Sequence, residues 1–200
     1  VLDVKVGSGA FMKTLDDATD LAKTLVGIGE HAGCKTVALL TRMDRPLGQT
    51  VGNGLEIEES VDVLSGRGPH DVRELVCQLG GEMLMLGGQA ESISKGYGRI
   101  ASSLDDGSAL DVFRSMVSLQ GGDPAVADRP GDILPRAGKV LPLVSAREGW
   151  ITGVETREIG MGSLLLGAGR AKKSDSIDPA VGVRMLKTVG ERVEAGEPLA

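Results

Sequence analysis

The sequence is poor in aromatic residues and has no cluster of positive charge. It contains two Phe, one Tyr and one Trp, or 2% aromatics, so platforms on which single-stranded nucleic acids stack are scarce. The formal net charge is -6 and the pI is about 5.0, whereas surfaces that bind phosphate backbones carry clustered Lys and Arg. We therefore expect no nucleic-acid partner.

Long apolar segments and closely spaced cysteines are also missing. The longest apolar stretches, such as residues 37–40 and 164–166, have the length of a strand, and no signal peptide is recognisable. Cys34 and Cys77 are the only cysteines and lack C-x-x-C spacing, which argues against a zinc site. We expect two buried, reduced thiols in a cytoplasmic protein without a membrane partner.

The first forty residues show a strand–helix–strand pattern. Residues 1–6 alternate apolar and charged side chains, as a short strand does, and residues 36–40 form a second, buried strand. Between them, Thr14 and Asp17 have the spacing of a capping box, and apolar residues recur at helical spacing as far as Ala32. This pattern predicts a βαβ unit with parallel strands.

Helical patterns predominate as far as residue 122, and the pattern then changes. One helix begins at Asn53, and a capping box at Ser108 and Asp111 starts the last. Beyond a loop rich in Pro, Gly and Asp, short strands and turns predominate. The predicted helices are about 70–86, 92–104, 108–120 and 158–166, the predicted strands 140–144 and 150–155, and the predicted turns 190–191 and 195–196.

The predicted fold class is therefore α/β. A partial βαβ-type mixed sheet with several helices would form a glycosyltransferase-type α/β domain at residues 1–122. A linker at 123–137 would connect it to a small β-rich domain at 138–200, which we expect to be barrel-sandwich-like and truncated.

A short glycine segment, Gly7–Gly9, follows the first predicted strand. Glycine lets the main chain approach a ligand closely, which would suit a phosphate group. The dinucleotide fingerprint needs a third Gly at its fixed spacing, however, and position 12 is Met; a Walker motif is also absent. A plain tight loop and a ligand cradle both stay open at this point.

The longer segment DVKVGSGAF at residues 3–11 strongly resembles the one that follows the base-binding helix in thymidine and pyrimidine-nucleoside phosphorylases. Further matches keep the family's order over essentially the whole chain, and their order and spacing together are specific. They are ALLTRMD at 38–44, PLG at 46–48, VGNGLE at 51–56, ETR at 155–157, GM at 160–161, GAGR at 167–170, DSID at 175–178 and VG at 181–182. The resemblance implies a member of this family that lacks its N-terminal region.

The resemblance implies a pentosyltransferase of pyrimidine salvage and catabolism. Phosphate, as co-substrate, would attack the anomeric carbon of thymidine, uridine or deoxyuridine and release the free base and (deoxy)ribose 1-phosphate. In the family, the phosphate loop, a His near the base and the Arg, Ser and Lys that grip the pyrimidine lie upstream of the first matched segment. We therefore assign no catalytic residue to this chain, expect it to be inactive alone, and expect a homodimer at full length.

The resemblance does carry two binding features over. Phe11 matches a residue whose side chain lines the pyrimidine pocket, and its alternative role is ordinary core packing. Leu47, Thr50 and Glu59 match positions that hold potassium or a similar cation in bacterial members, through main-chain carbonyls at the first two and a carboxylate at the third, while the ion's other ligands in the family lie upstream of the first matched segment. The family more often has Ala in place of Thr50, a change that a carbonyl ligand tolerates. The alternative for Glu59 is a solvated acid on a charged helix face.

Other charged residues are assigned structural roles or none. Asp3 and Lys5 lie on the same face of an alternating strand, so we predict an ion pair there. His31 and His70 have no nucleophile or acid partner in the sequence, and neither matches the family's His. We assign a functional role to neither histidine.

Two alternative interpretations remain, and a third, a phosphoribosyltransferase, is excluded by the β-rich tail. The ending TVGERVEAGEPL at residues 188–199 resembles the half-motif of biotinyl and lipoyl carrier domains, which would make the chain a carrier-type module if a modifiable Lys followed. A phosphoribosyltransferase of the related fold would lack the β-rich tail that begins at Val140. A non-catalytic binding protein would lack the family's KHSTGG phosphate loop, which is expected upstream of Val1.

Overall fold

The predicted βαβ unit is present at the start of the chain. The structure is a computed structural model that describes residues 1–200. Strand β1 (Leu2–Val6) and strand β2 (Ala38–Arg42) pair in parallel and are connected by helix α1 (Leu15–His31). On one face of this sheet, Val4 packs with residues 18 and 22 of α1 in a small apolar core, so the helix covers the sheet as a crossover helix should.

Two predicted polar contacts in this unit are confirmed. Thr14 is the N-cap of α1, and its hydroxyl accepts a hydrogen bond from the Asp17 amide at 3.2 Å. The Lys5 ammonium lies 2.6 Å from the Asp3 carboxylate and donates to the Thr41 hydroxyl at 3.1 Å. Because Thr41 belongs to β2, this ion pair ties the two strands together on the face opposite α1.

Four longer helices follow the βαβ unit, close to the predicted spans. Helices α3 (His70–Leu86) and α4 (Ile93–Asp105) pack tightly because two glycines meet: a Cβ atom on Gly96 would lie 2.6 Å from the Gly81 carbonyl oxygen. Cys77 is fully buried in α3, and burial raises the pKa of its thiol. Cys34 is exposed, so the prediction of two buried thiols is wrong for Cys34. The helices are α2 (Asn53–Leu64), α3 (His70–Leu86), α4 (Ile93–Asp105) and α5 (Ser108–Leu119).

The predicted capping box at Ser108 is wrong. The N-cap of α5 is Gly107, which has a positive φ of 83° and no side chain to accept a hydrogen bond. The Ser108 amide donates instead to the Asp106 carboxylate at 2.9 Å. The carboxylate of Asp106 therefore accepts a hydrogen bond from a free amide at the helix start, as in an Asx-turn, in place of the Ser108 hydroxyl.

Residues 123–137 carry short helical turns before the β-rich part. A 3₁₀ turn (Pro124–Ala127) and helix α6 (Pro130–Ile133) lie here, and Val126 and Ala127 are buried. Beyond them lie strand β4 (Gly149–Trp150), helix α7 (Thr156–Ser163) with a π-type extension (Leu164–Ala168), strand β5 (Val183–Arg184) and strand β6 (Arg192–Val193). The proposed domain boundaries remain a prediction.

The C-terminal strands are shorter than predicted. In place of strands at 140–144 and 150–155, there is an isolated bridge between Val144 and Pro198 and a two-residue pairing of β4 with β6. The predicted helix is present as α7, and the turns at Gly190 and Gly196 have the expected positive φ. The mixed α/β class is confirmed, whereas the barrel-sandwich arrangement remains a prediction.

Much of the surface of the chain is solvent-exposed. Its accessible surface is 12492 Å², and 19 of its 200 residues are buried, whereas a folded monomer of this mass exposes about 8,900 Å². Several large apolar side chains, Leu119 and Val140 among them, stand exposed, and such surface is available for contact with other polypeptide. None of the helices is both long and apolar enough for a membrane span.

Candidate functional site at the carboxyl edge of the β1–β2 sheet

Two loops lie side by side where β1 and β2 end. The first loop, residues 7–12, follows β1, and the second loop, residues 43–50, follows β2 and reaches strand β3 (Thr50–Val51). The loops touch, since the Gly9 amide donates to the Met43 carbonyl at 2.8 Å. In open α/β sheets, this edge outside the carboxyl ends of parallel strands is where ligands bind.

The amides of the first loop are already used within the protein. All four amides of residues 7–10 donate hydrogen bonds of 2.8–3.0 Å. A phosphate cradle requires amides that point free at the ligand, so that alternative for Gly7–Gly9 is excluded. In chain order the acceptors are Met12 O, Asp44 Oδ1, Met43 O and Gly7 O.

The first loop is built around Asp44 of the second loop. Gly7 has a φ of 129°, and a Cβ atom there would overlap the Asp44 carboxylate, so only glycine fits. The Ser8 amide, and then the Arg42 guanidinium 2.8 Å away, hold the pKa of Asp44 below its usual range. Asp44 was not among the predicted site residues; its position two residues beyond β2, beside a glycine loop, was the available signal.

Phe11 stands at the outer side of the first loop. Its side chain is 97% exposed, so it does not pack in the core of these 200 residues. The backbone beneath it is anchored, because Ala10 is buried and Lys13 donates to the Ser8 carbonyl at 2.7 Å. Phe11 lines neither a cavity of about 470 Å³ at residues 192–197 nor one of about 160 Å³ between the second loop and residues 185–191. The loop therefore presents a bare aromatic ring on a fixed backbone.

Helix α7 supports the first loop from behind. A Cβ atom on Gly9 would lie 2.7 Å from the Thr156 methyl carbon, at the first residue of α7. Thr156 is 7% exposed, and its buried hydroxyl has no hydrogen-bond partner. The sequence signal for this contact was the ETR match at 155–157, which by itself did not place α7 against the loop.

The second loop converges on the carboxylate of Glu59. Oε1 of Glu59 accepts hydrogen bonds from the Thr50 amide at 3.0 Å and the Thr50 hydroxyl at 2.6 Å. Oε2 accepts from the Gln49 amide at 2.7 Å. Glu59 is half-buried on α2 and reaches back to the loop, so its alternative as a solvated helix acid is wrong.

Negative charge at Glu59 is not balanced by a cationic side chain. Its neighbour Glu58 pairs with Arg184 at 2.7 Å and with Arg136 at 3.2 Å, but no Lys, Arg or His nitrogen lies within 4.0 Å of Glu59. A second carboxylate, Asp71, lies 3.4 Å from the Gly48 amide and pairs with Arg45 of the second loop at 3.8 Å, so its charge is balanced. A half-buried carboxylate that receives only neutral donors favours a nearby cation.

The strand register turns the carbonyl of Thr50 toward the same side. Met185 donates to the Gln49 carbonyl at 2.7 Å, and Thr50 lies opposite Arg184 in the β3–β5 ladder. In an antiparallel ladder, the amide and carbonyl of alternate residues face away from the partner strand. The Thr50 amide does so, since it bonds to Glu59, and the Thr50 carbonyl shares its direction.

The predicted cation-binding residues therefore meet in one place. Leu47 and Thr50 lie in the second loop, and Gly48 between them packs so closely on the Glu59 carboxylate that a Cβ atom would overlap it. No group of three or more His, Cys, Asp or Glu side chains could hold a metal by side chains alone. Any cation here would depend on main-chain carbonyls, and ligation by these residues remains a prediction.

Two family models match the chain, and they match different parts of it. The model of the glycosyl transferase family a/b domain matches residues 1–110, and that of the pyrimidine nucleoside phosphorylase C-terminal domain matches residues 150–200. The pyrimidine-nucleoside phosphorylase of Staphylococcus aureus strain bovine RF122 / ET3-1 is 44% identical over 199 residues, and that of strain USA300 is 43% identical over the same length. The chain belongs to the pyrimidine-nucleoside phosphorylase family.

The family comparison confirms the predicted family. The alignments cover 100% of this chain and 46% of each of these relatives, so the chain spans about half the length of the phosphorylases it matches. Both loops at the sheet edge lie in the part matched by the a/b-domain model. The match of residues 150–200 to a phosphorylase C-terminal domain agrees with the exclusion of a phosphoribosyltransferase, and nothing in these comparisons favours a carrier module or a non-catalytic binding protein.

Proposed function

We propose that the protein takes part in the reversible phosphorolysis of pyrimidine nucleosides. An oxygen of phosphate attacks the anomeric carbon, the bond from that carbon to the base nitrogen breaks, and the base leaves with the electron pair and takes up a proton. The products are the free base and (deoxy)ribose 1-phosphate. The observation that carries this proposal is the 44% identity to a pyrimidine-nucleoside phosphorylase over the whole chain, both loops included.

In this proposal the first loop supplies one wall of the pyrimidine pocket. The exposed ring of Phe11 offers a flat apolar face on an anchored backbone, and an aromatic face suits stacking against a flat base. The loop itself holds no phosphate, because its amides are occupied. The substrate is thymidine, uridine or deoxyuridine.

The second loop binds potassium or a similar cation in the same proposal. Carbonyl oxygens of Leu47 and Thr50 and the carboxylate of Glu59 form a donor set of oxygens, which suits a hard cation. The uncompensated charge of Glu59 fits this role, and Oε2 of Glu59 accepts one hydrogen bond, which leaves room for a further contact. When bound, the cation neutralises that charge and orders the loop.

The phosphate site and the catalytic groups lie outside this chain in our proposal. The 200 residues alone would then be inactive, while the complete protein would work as a homodimer in the cytoplasm. The large exposed apolar surface supports a chain that packs against further polypeptide.

A chimera tests the proposed function. The aligned segment of the Staphylococcus aureus phosphorylase is replaced by these 200 residues, and phosphate-dependent cleavage of thymidine and uridine is measured beside the isolated chain. We expect cleavage by the chimera and none by the isolated chain. A chimera that folds but cleaves neither nucleoside would refute the proposal, and turnover by the isolated chain would refute the assignment of catalysis elsewhere.

The same chimera tests the role of Phe11. Phe11→Ala is expected to raise the KM for the nucleoside about tenfold, because an apolar wall of the pocket contributes about 1–3 kcal/mol, and to leave thermal stability unchanged because the ring is exposed. Phe113→Ala, which truncates the half-buried Phe of α5, serves as the control and should lower stability without changing the KM. An unchanged KM for Phe11→Ala would contradict the role.

A further inference from the structure

The second loop is held from two sides by different parts of the chain. On one side lies Glu59 of α2, as described above. On the other side lies segment 181–185, whose strand β5 pairs with β3 and whose Met185 amide donates to the Gln49 carbonyl at 2.7 Å. Glu59 and Arg184, which are 125 positions apart in sequence (184 minus 59), therefore lie on the two sides that set the backbone of one loop.

The backbone of segment 181–185 packs directly against the backbone of residues 51–52. Gly52 has a φ of 149°, and a Cβ atom there would lie 2.5 Å from the Val181 carbonyl oxygen. A Cβ atom on Gly182 would overlap the Val51 carbonyl oxygen. Segment 181–185 and strand β3 are therefore in direct backbone contact, so a displacement of one must displace the other.

Adjacent carboxylates on α2 connect the two sides. Glu59 receives the amides of the second loop, and Glu58 receives Arg184 of β5 at 2.7 Å. Arg184 is also the residue directly opposite Thr50 in the ladder. A single helical turn therefore fixes both the loop and the strand that flanks it.

We propose that Arg184 is a positioning residue that couples the docking of segment 181–185 to cation binding by the second loop. This inference rests on the cation site of the proposed function. Arg184 does not touch the cation; it keeps β5 paired with β3, and that pairing keeps the Thr50 carbonyl facing Glu59. Loss of the ion pair with Glu58 lets β5 separate from β3 more often, so the donor set is assembled for less of the time.

The test compares Arg184→Ala with Arg136→Ala in the chimera described above, whose phosphorylase part supplies the polypeptide upstream of this segment. Both variants remove one arginine from Glu58, but Arg136 lies in the segment before the β-rich part and not in β5. Hydrogen exchange at the Gln49 and Thr50 amides reports on the loop without any cation. A titration with potassium chloride against choline chloride at constant ionic strength, followed by thermal unfolding, reports on cation binding.

We expect Arg184→Ala to speed exchange at Gln49 and Thr50 about twofold to fivefold and to weaken the potassium response by a similar factor, as loss of a partly exposed ion pair predicts. Arg184→Lys should restore most of both, and Arg136→Ala should change neither. Equal effects of the two alanine variants, or faster exchange throughout α3 and α4, would overturn the proposal.

The potassium titration separates this inference from the proposed cation site. If the unsubstituted chimera does not respond to potassium, the cation site fails and the coupling is overturned with it. If the unsubstituted chimera responds and Arg184→Ala responds equally, the coupling alone is overturned and the cation site stands.

Discussion

The first and second loops begin at neighbouring positions of the same sheet edge, yet they use their polar groups in opposite ways. In the first loop, every amide of residues 7–10 bonds within the protein and the exposed group is an apolar ring, Phe11. In the second loop, amides converge on a carboxylate, Glu59, that has no cationic partner. One loop therefore offers a neutral surface and the other an unbalanced negative charge.

This difference teaches how one sheet edge can serve two kinds of ligand. A flat neutral base gains from an apolar wall and would gain little from a charge nearby. A cation needs oxygen ligands and negative charge. The carboxylate of Asp44, which lies against the first loop, accepts hydrogen bonds from the Ser8 amide and the Arg42 guanidinium. Because Arg42 balances the negative charge of Asp44, this carboxylate adds no unbalanced charge near Phe11.

The strongest way to break the first loop is Gly7→Ala. The positive φ of Gly7 and the overlap with Asp44 predict a loss of about 2–3 kcal/mol. For a chain of this size, the melting temperature should fall by about 4–12 °C, measured by circular dichroism. The control is Gly27→Ala in the middle of α1, where nothing lies within 4 Å and stability should rise by about 0.5–1 kcal/mol. Equal melting temperatures for both variants would contradict the structure of the first loop.

The second loop depends on Glu59. Glu59→Ala leaves the Gln49 and Thr50 amides without their acceptor, which should lower the free energy of unfolding by about 2 kcal/mol. Denaturation in urea measures the change. Glu30→Ala removes an exposed helix acid and should alter the value by less than about 0.5 kcal/mol. Similar values for the two variants would mean that Glu59 is solvated after all.

The contact behind the first loop can be improved. Thr156→Val keeps the shape that packs on Gly9 and removes a buried hydroxyl without a partner. We therefore expect a gain of about 1 kcal/mol, seen as a melting temperature about 2–4 °C higher. Thr152→Val, at an exposed position, should leave the melting temperature nearly unchanged. A loss of stability in Thr156→Val would show that the hydroxyl is hydrogen-bonded.

The smallest expected effect is the acid titration of the first loop. The Ser8 amide and Arg42 lower the pKa of Asp44 below 3.8 in the folded chain. A lowered folded pKa stabilises the loop above pH 3.8, and this contribution is lost as the pH falls through the folded value. The chemical shift of the Ser8 amide should therefore titrate with a midpoint below 3.8, and Asp44→Asn should abolish the transition. A midpoint at or above 3.8 would contradict the contact.

Much of the fold follows from local patterns in the sequence. The span of α3, the cap at Thr14 and the parallel pairing of β1 with β2 were all predictable, because periodicity and capping are encoded within a few residues. The predicted capping box at Ser108 was wrong because Gly107 and Asp106, directly upstream, compete to cap the same helix. Sequence patterns within a few residues do not determine which of these residues caps the helix.

The candidate site was less predictable, because its contacts join distant residues. Family resemblance placed Leu47, Thr50 and Glu59 at corresponding positions, but the direction of the Glu59 carboxylate depends on how α2 packs on the loop. The contact of Thr156 with Gly9 joins residues 147 positions apart, 156 minus 9. The C-terminal strands at 140–144 and 150–155 were overpredicted because apolar alternation shows where a strand could form and not whether a partner strand is in place.

The most direct test of the contrast between the loops is a potassium titration of the isotopically labelled chimera, followed by the amide signals of both loops. We predict that the signals of Gly48, Gln49 and Thr50 shift with potassium, while those of residues 7–10 stay fixed. Shifts in the first loop with none in the second, or no shift in either, would contradict the assignment of the cation to the second loop.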